Sequence, residues 1–449
     1  MKKLSPILVL LLLTACGGSS STAPTVITVP PFAPTPTTPP VVTPPLVTPV
    51  GNTLFSAPKK IEGIQIAIPY TEADYKWTLE FTIESFYVVD NRISFLRTFL
   101  PQNVTKPDVY GDEFAYTLTN NSSTVYATKA NSIVSTSHPA DMIEIADFNR
   151  DGYKDVFIGD SGYDEGTPRV GGQNKLLFGS ANGLIDKSEN IPALKDFTHS
   201  TAISDIDNDG DIDIYVGNTT SFPSPYFLVN DGSGKFTRRD LFAAGFNASV
   251  YTASEFADLD GDGVSELVLG GDSALGGANS IILRYVGGKY AISKTLDTAG
   301  RIVTDISIAD LNGDGKKEIV MSSAPVEPFY KGTTIFVYGQ TNGEYSRTES
   351  FVVSDQRWNS KLHVTDVNGD GLLDIVSTGL STPDTKILIN NGKTFTFDQS
   401  FKAPWDHVGT GVEMWDVNND GKLDFIFTKQ EQQITSKTLN VGVYVMFGG

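Results

Sequence analysis

Residues 205–213 read Asp205-Ile206-Asp207-Asn208-Asp209-Gly210-Asp211-Ile212-Asp213, and the apolar run Ile214-Tyr215-Val216-Gly217 follows directly. Oxygen-bearing side chains stand at the first, third, fifth and ninth positions, and glycine at the sixth. The pattern occurs six times. The other copies are Asp147-Asn149-Asp151-Gly152-Asp155, Asp258-Asp260-Asp262-Gly263-Glu266, Asp310-Asn312-Asp314-Gly315-Glu318, Asp366-Asn368-Asp370-Gly371-Asp374 and Asp416-Asn418-Asp420-Gly421-Asp424. Their starts lie roughly 50 to 58 residues apart, the spacing of a repeat architecture.

Hard divalent cations take oxygen ligands, and calcium accepts six to eight of them in a flexible shell. Alternating Asp and Asn place short oxygen donors on one side of a tight turn. Glycine at position six permits the left-handed backbone that a sharp reversal needs, and position seven can offer its carbonyl whatever its side chain. That position is Tyr153, Asp211, Val264, Lys316, Leu372 and Lys422, six residues with nothing chemical in common. Ordinary Asp-Gly turns also use Asp, Asn and Gly. Six copies argue otherwise, because carboxylates held about 4–5 Å apart repel by roughly 1 kcal/mol per pair even in water. Up to six calcium ions are therefore expected; magnesium fits less well, since it prefers strict octahedral sites that keep several waters.

An EF-hand opens in the same way, but it ends on a bidentate Glu at position twelve between two helices. Here the acidic residue falls at position nine and short apolar runs follow, among them Val156-Phe157-Ile158-Gly159, Leu267-Val268-Leu269-Gly270 and Phe425-Ile426-Phe427. Such runs are strands. The second repeat parses into four strands, at 201–204, 214–217, 226–229 and 235–241, with the turn Asn230-Asp231-Gly232-Ser233-Gly234 before the last. Four short antiparallel strands per repeat predict an all-β fold. The expected architecture is a β-propeller of seven four-stranded blades, six of them carrying a calcium loop; a β-solenoid is the alternative.

These loops and strands resemble the FG-GAP and VCBS repeat family, over roughly residues 130–449. Its members build seven- or eight-bladed propellers, including the head of the integrin α subunit. Gly159, Gly217 and Gly270 stand where the family's glycine follows the second strand, whereas repeats four to six carry serine or threonine near that point. Residues 59–135 lack an acidic loop but offer strand-like runs at 77–89, 92–99, 113–119 and 125–127. They are expected to supply a loopless blade and a strand that closes the ring, since the last repeat runs out after its third strand at Phe447-Gly448-Gly449. The six calcium-loop repeats occupy 136–449.

The chain opens Met1-Lys2-Lys3, continues with an apolar run to Leu13 and then reads Thr14-Ala15-Cys16. A basic start, an apolar stretch too short to span a bilayer and small residues before a cut site define an export signal at 1–15. Ending it on Cys16 resembles a bacterial lipobox, which implies a lipidated first residue and a membrane partner through the lipid. Gly17-Gly18-Ser19 lacks the aspartate that retains many such lipoproteins at the inner membrane, so the resemblance points to the outer membrane, at the cell surface or on its periplasmic side. Residues 16–58 are rich in Pro and Thr and read as an extended stalk; thirty such residues reach on the order of 90 Å. Cys16 is the only cysteine, so no intramolecular disulfide is available.

The chain carries 53 acidic and 34 basic residues, a formal charge of -19. Six calcium ions would add 12 positive charges and bring -19 to -7, so the acidity is largely a metal signature. A basic nucleic-acid footprint is absent.

If each acidic loop joins strands one and two, the connections between strands two and three and those between blades lie on the opposite face. Ligands of integrin-like propellers bind that face. Tyr163, Arg169, Phe222, Tyr330, Trp358, Trp405 and His407 fall there and suit a sugar face or a protein hot spot; packing between blades is an equal use for the two tryptophans. His138, His199, His363 and His407 lack metal-ligand spacing. No Gly-x-Ser-x-Gly elbow, His-Glu-x-x-His helix or Walker loop occurs. The expected role is a tethered, calcium-stabilised protein that binds a glycan or another protein. Two alternatives stand beside it: a polysaccharide lyase using calcium with Arg169, Lys175 or Lys331, and an envelope scaffold.

Overall fold

The second strand is buried along its whole length in four of the six repeats: Asp155–Asp160, Asp213–Asn218, Glu266–Gly271 and Asp374–Thr378 present no exposed residue. A strand covered on both faces must lie in a sheet sandwiched between two others, which is why these segments read as unbroken apolar runs rather than as an alternation. The computed structural model describes residues 54–64, 66–69, 85–97, 112–121, 124–133, 139–161, 171–219, 223–277, 279–327, 332–354, 361–378, 385–404, 412–430 and 438–449. Cys16, the export signal and all of the stalk before residue 54 lie outside them.

Seven antiparallel sheets result. Blade I has strands Ser85–Val89, Arg92–Arg97, Asp112–Asn121 and Thr124–Lys129, on the four runs read from the sequence, and contains no acidic loop. Blades II to VI follow at 139–186, 198–239, 251–296, 301–354 and 361–397, each with its four strands paired in sequence order. Blade VII takes Val412–Trp415, Asp424–Gln430 and Thr438–Met446 from the C-terminal end. Its outer edge comes from the other end of the described chain, where Lys59–Lys60 and Ile66–Pro69 both pair with Thr438–Met446. Ile66 sits opposite Val441 and Lys59 opposite Val445. The final repeat thus receives the strand it lacks, and no first or last edge of the ring is left unpaired.

The apolar core is divided in the same way. One cluster joins blades I and II through Tyr87, Leu96, Val156 and Leu177. Others join II to III, III to IV, IV to V, V to VI and VI to VII. The seventh packs Ile61, Ile64 and Ile66 with Phe86, Phe95, Ile426 and Val443, so blade VII is fastened to blade I. Seven blades separated by seven clusters make a closed ring, a β-propeller. The outer strands, such as Phe236–Arg239 with one buried residue of four, carry the solvent face. The sole helix among the described residues is one 3₁₀ turn, Ser188–Asn190.

Candidate metal centre

Each acidic loop links the first strand of its blade to the second, and its conformation is the same six times. The carboxylate at position one accepts the glycine N–H of position six: Gly152 to Asp147, Gly210 to Asp205, Gly263 to Asp258, Gly315 to Asp310, Gly371 to Asp366 and Gly421 to Asp416, at 2.8–3.0 Å. All six glycines have φ between 81° and 89°, a backbone that costs other residues strain. The carboxylate at position five accepts the N–H of position seven, from Tyr153, Asp211, Val264, Lys316, Leu372 and Lys422. Position four is left-handed as well, which the sequence reading overlooked. Gly261, Gly313, Gly369, Asn208 and Asn419 suit it, and Arg150 occupies it at φ 59°.

The ninth residue plays a part that its spacing alone did not disclose. Its carboxylate is buried and accepts the N–H of position two: Phe148 to Asp155, Ile206 to Asp213, Leu259 to Glu266, Leu311 to Glu318, Val367 to Asp374 and Val417 to Asp424, at 2.8–3.0 Å. In the four loops that end on Asp, the other oxygen accepts an N–H at the end of the third strand, from Gly179, Asn230, Asn390 or Gly448. This residue latches the loop to the sheet, and each of the four aspartates keeps at least one oxygen with a lone pair for a cation, Asp155 through Oδ1, since its Oδ2 also accepts the Asn149 N–H. Burial pushes Asp213 and Asp374 up to about 7 and Asp155 and Asp424 up to about 6, with the neighbouring loop carboxylates adding to the shift. Glu266 rises to about 7, and Glu318 is raised, for the same reasons. Crowded carboxylates that resist ionisation are what a positive ion would relieve.

Asn side chains tie neighbouring loops together. Asn230 Nδ2 donates to the Phe148 carbonyl of loop one and to the Ile212 carbonyl of loop two, at 2.8 and 3.1 Å. Asn390 does the same between Leu311 of loop four and Leu373 of loop five, at 2.6 and 3.0 Å. The turn between strands three and four therefore lies on the loop face, as the connectivity requires.

The donor set fits calcium. In loop two, oxygens of Asp205, Asp207 and Asp209 lie within 4.8 Å of one another, as do those of Asp258, Asp260 and Asp262 in loop three. Ligands about 2.3–2.6 Å from one ion span such separations. Loops one, four, five and six replace the third carboxylate with Asn149, Asn312, Asn368 and Asn418, which keeps an oxygen and removes a charge. Asn149, Asn368 and Asn418 turn their amides to Asp151, Asp370 and Asp420, and Asn312 turns to Glu318. Loop three differs in another respect: the Arg284 guanidinium reaches into it and contacts Asp260, Asp262 and Glu266.

The residues proposed for the opposite face, Tyr163, Arg169, Phe222, Tyr330, Trp358, Trp405 and His407, lie outside the described residues. Of the histidines, His199 lies tilted against the Phe197 ring and contacts its carbonyl, and His363 is on the first strand of blade VI, where burial holds it neutral with a value near 3. Neither belongs to an acidic loop.

No curated protein matches this chain in sequence. Among solved structures, one similar chain is from the crystal structure of a "putative exo-beta-1,3-galactanase from Bifidobacterium bifidum s17". It is 14% identical, covers 54% of this chain and 85% of its own, and superposes with a TM-score of 0.32, too distant to bear on activity. The model of an FG-GAP-like repeat matches residues 147–216, 205–269, 258–321 and 366–427, with each match starting on the first aspartate of a loop. Those matches cover more than half of the sequence and agree with the ring of blades, and the chain belongs to the FG-GAP-like repeat family.

Proposed function

We propose that this protein is a calcium-stabilised propeller, held on the outer membrane by a lipidated Cys16 and a Pro/Thr-rich stalk, which binds a glycan or another protein through the face opposite its acidic loops. The observation that carries the reading is the repetition of one loop geometry on six blades, all on one face, with three carboxylates converging in loops two and three. Bound calcium would supply positive charge among those oxygens and so fix the turn between the first two strands. The chain's own part is to prearrange the oxygens through glycine φ angles and to latch the loop with the ninth carboxylate.

Antiparallel strands put the connections from second to third strand at the opposite end of each blade. Those connections carry Tyr163, Arg169, Phe222 and Tyr330, with Trp358, Trp405 and His407 in the neighbouring links between blades or strands. Aromatic rings beside charged groups are the chemistry of sugar and protein recognition. A stalk on the order of 90 Å long gives such a face reach. The test is binding of the full chain, in millimolar calcium, to arrays of glycans and envelope or host proteins. Binding that is lost in Trp405→Ala or Trp358→Ala, with Tm unchanged, supports the reading. Absence of any binding above background overturns it, and release of unsaturated, ultraviolet-absorbing product from acidic polysaccharide would assign a lyase instead.

A further inference from the structure

Arg284 belongs to the third strand of blade IV, Ser280–Val286, one residue beyond Leu283, which pairs with Leu267 just after loop three. The same register holds in the other loop-bearing blades, where Val156 faces Leu177, Ile214 faces Leu228, Ile319 faces Tyr338, Ile375 faces Leu388 and Phe425 faces Met446. The residues corresponding to Arg284 are therefore Phe178, Val229, Gly339, Ile389 and Phe447. None of those five carries a charge, and none could reach into its loop with a cation.

In blade IV the guanidinium does so. Nη2 contacts Asp260 and lies 3.0 Å from Asp262 Oδ2, while Nε lies 3.3 Å from Glu266 Oε1. One planar group thus engages the third, fifth and ninth positions at once. The loop it enters has carboxylates at all four oxygen positions, Asp258, Asp260, Asp262 and Glu266, a set shared only with loop two. At loop two, Arg150 pairs instead with Asp211 at position seven, whose side chain is not among the four oxygen donors. The glutamate at position nine completes the exchange: its Oε1 receives Arg284, where the Asp loops receive a backbone N–H.

Resting on the calcium reading above, we propose that Arg284 is the resident cation of loop three, so that this protein holds five calcium ions and blade IV keeps its loop closed without one. A guanidinium lodged among these oxygens and a divalent ion between them exclude one another, because both need that space and their charges repel. Among the described residues the other five loops have no such side chain, and they stay dependent on the metal. Arg284 thus decides which blade answers to calcium concentration.

The experiment is equilibrium dialysis of the full chain in detergent against millimolar calcium, with bound metal counted by elemental analysis, for the parent and for Arg284→Ala. The expected result is about five ions in the parent and about six in Arg284→Ala, together with a larger gap in Tm between calcium and chelator for the variant. Six ions in the parent overturn the proposal while leaving the calcium reading intact. Five in both proteins overturn it too, since removal of the guanidinium would then have opened nothing. No bound calcium in the parent overturns both. The parent's count decides the matter even should the variant fail to fold.

Discussion

Asp209 and Asp213 stand four residues apart in one loop and serve different ends. Asp213 is wholly buried, accepts the N–H groups of Ile206 and Asn230 at 2.9 and 2.8 Å, and so contributes to the fold with or without a metal. Asp209 is exposed, and beyond its contacts within the turn the role left to it is the proposed ligation of a cation. Asp213→Ala leaves two buried donors without an acceptor and should cost about 2–4 kcal/mol even in chelator, and at least as much in calcium. Asp209→Ala should cost roughly 1–2 kcal/mol at a few millimolar calcium and less than about 0.5 kcal/mol in chelator, because extracellular calcium sites dissociate at about 0.1–1 mM. Urea unfolding of both variants in the two buffers measures the four values. Equal losses for Asp209→Ala in calcium and chelator would refute the assignment of that carboxylate to an ion.

At the scale of the strand, the glycine that closes the second strand is a packing requirement. Gly159, Gly217 and Gly270 have ordinary φ angles, yet a Cβ on Gly270 would come within 2.6 Å of Val303 Cγ1 and 2.9 Å of Ala253 Cβ, where the first strand of blade V crosses that of blade IV. Blades V to VII bear Ser322, Thr378 and Thr428 at the corresponding position, all buried, so the limit lies in the neighbours and not in the backbone. Gly270→Ala should therefore destabilise by about 1–3 kcal/mol. Val303→Ala in the same chain should recover part of the loss, a coupling that a double-mutant cycle reads directly. This level of structure was partly legible beforehand. Spacing alone located the six loops, the apolar runs after them and the loopless blade I, because loop and strand are local matters of residue order. The latching role of the ninth carboxylate, the Asn230 and Asn390 bridges and the entry of Arg284 were not legible. The latch to position two spans only seven residues but has no signature in residue order; the other contacts join residues 17 to 82 apart, brought together by strand pairing within a blade for Asp213 with Asn230 and for Arg284 with its loop, and by stacking of one blade on the next for Asn230 with Phe148 and Asn390 with Leu311.

Over the whole molecule, the first strands of the blades converge on the axis of the ring, and the residue three places before each loop shows what they carry. These residues are Glu144, Ala202, Glu255, Ser307, His363 and Glu413. Glu144 is hydrogen-bonded to Thr201 of the next blade, Asp305 accepts the Leu362 N–H of the next, and Lys361 pairs with Glu413 of the next, so polar links pass around the inner wall. Burial raises Glu255 to about 8, with the carboxylates of Glu144 and Asp305 adding to it, and burial raises Glu144 to about 7. An acid whose folded value lies above its unfolded one holds more protons when folded, so stability falls as pH rises from about 4.5 through about 8 and levels off beyond. His363 works in the other direction: held near 3 by burial and by Lys361, it stays neutral when folded, and stability is lost as pH drops from about 6.5 toward 3. The two windows overlap between about 4.5 and 6.5, where two raised acids outweigh one histidine, so the maximum these groups set falls in acidic solution near the lower end of that overlap. Glu255→Gln keeps the shape and removes the charge, so its Tm, measured in saturating calcium, should match that of the parent near pH 5 and exceed it by about 2 °C or more at pH 8.5. Parallel Tm profiles for the two proteins across that range would show that Glu255 is ionised without cost, and the acidic inner wall would then be well solvated instead of strained.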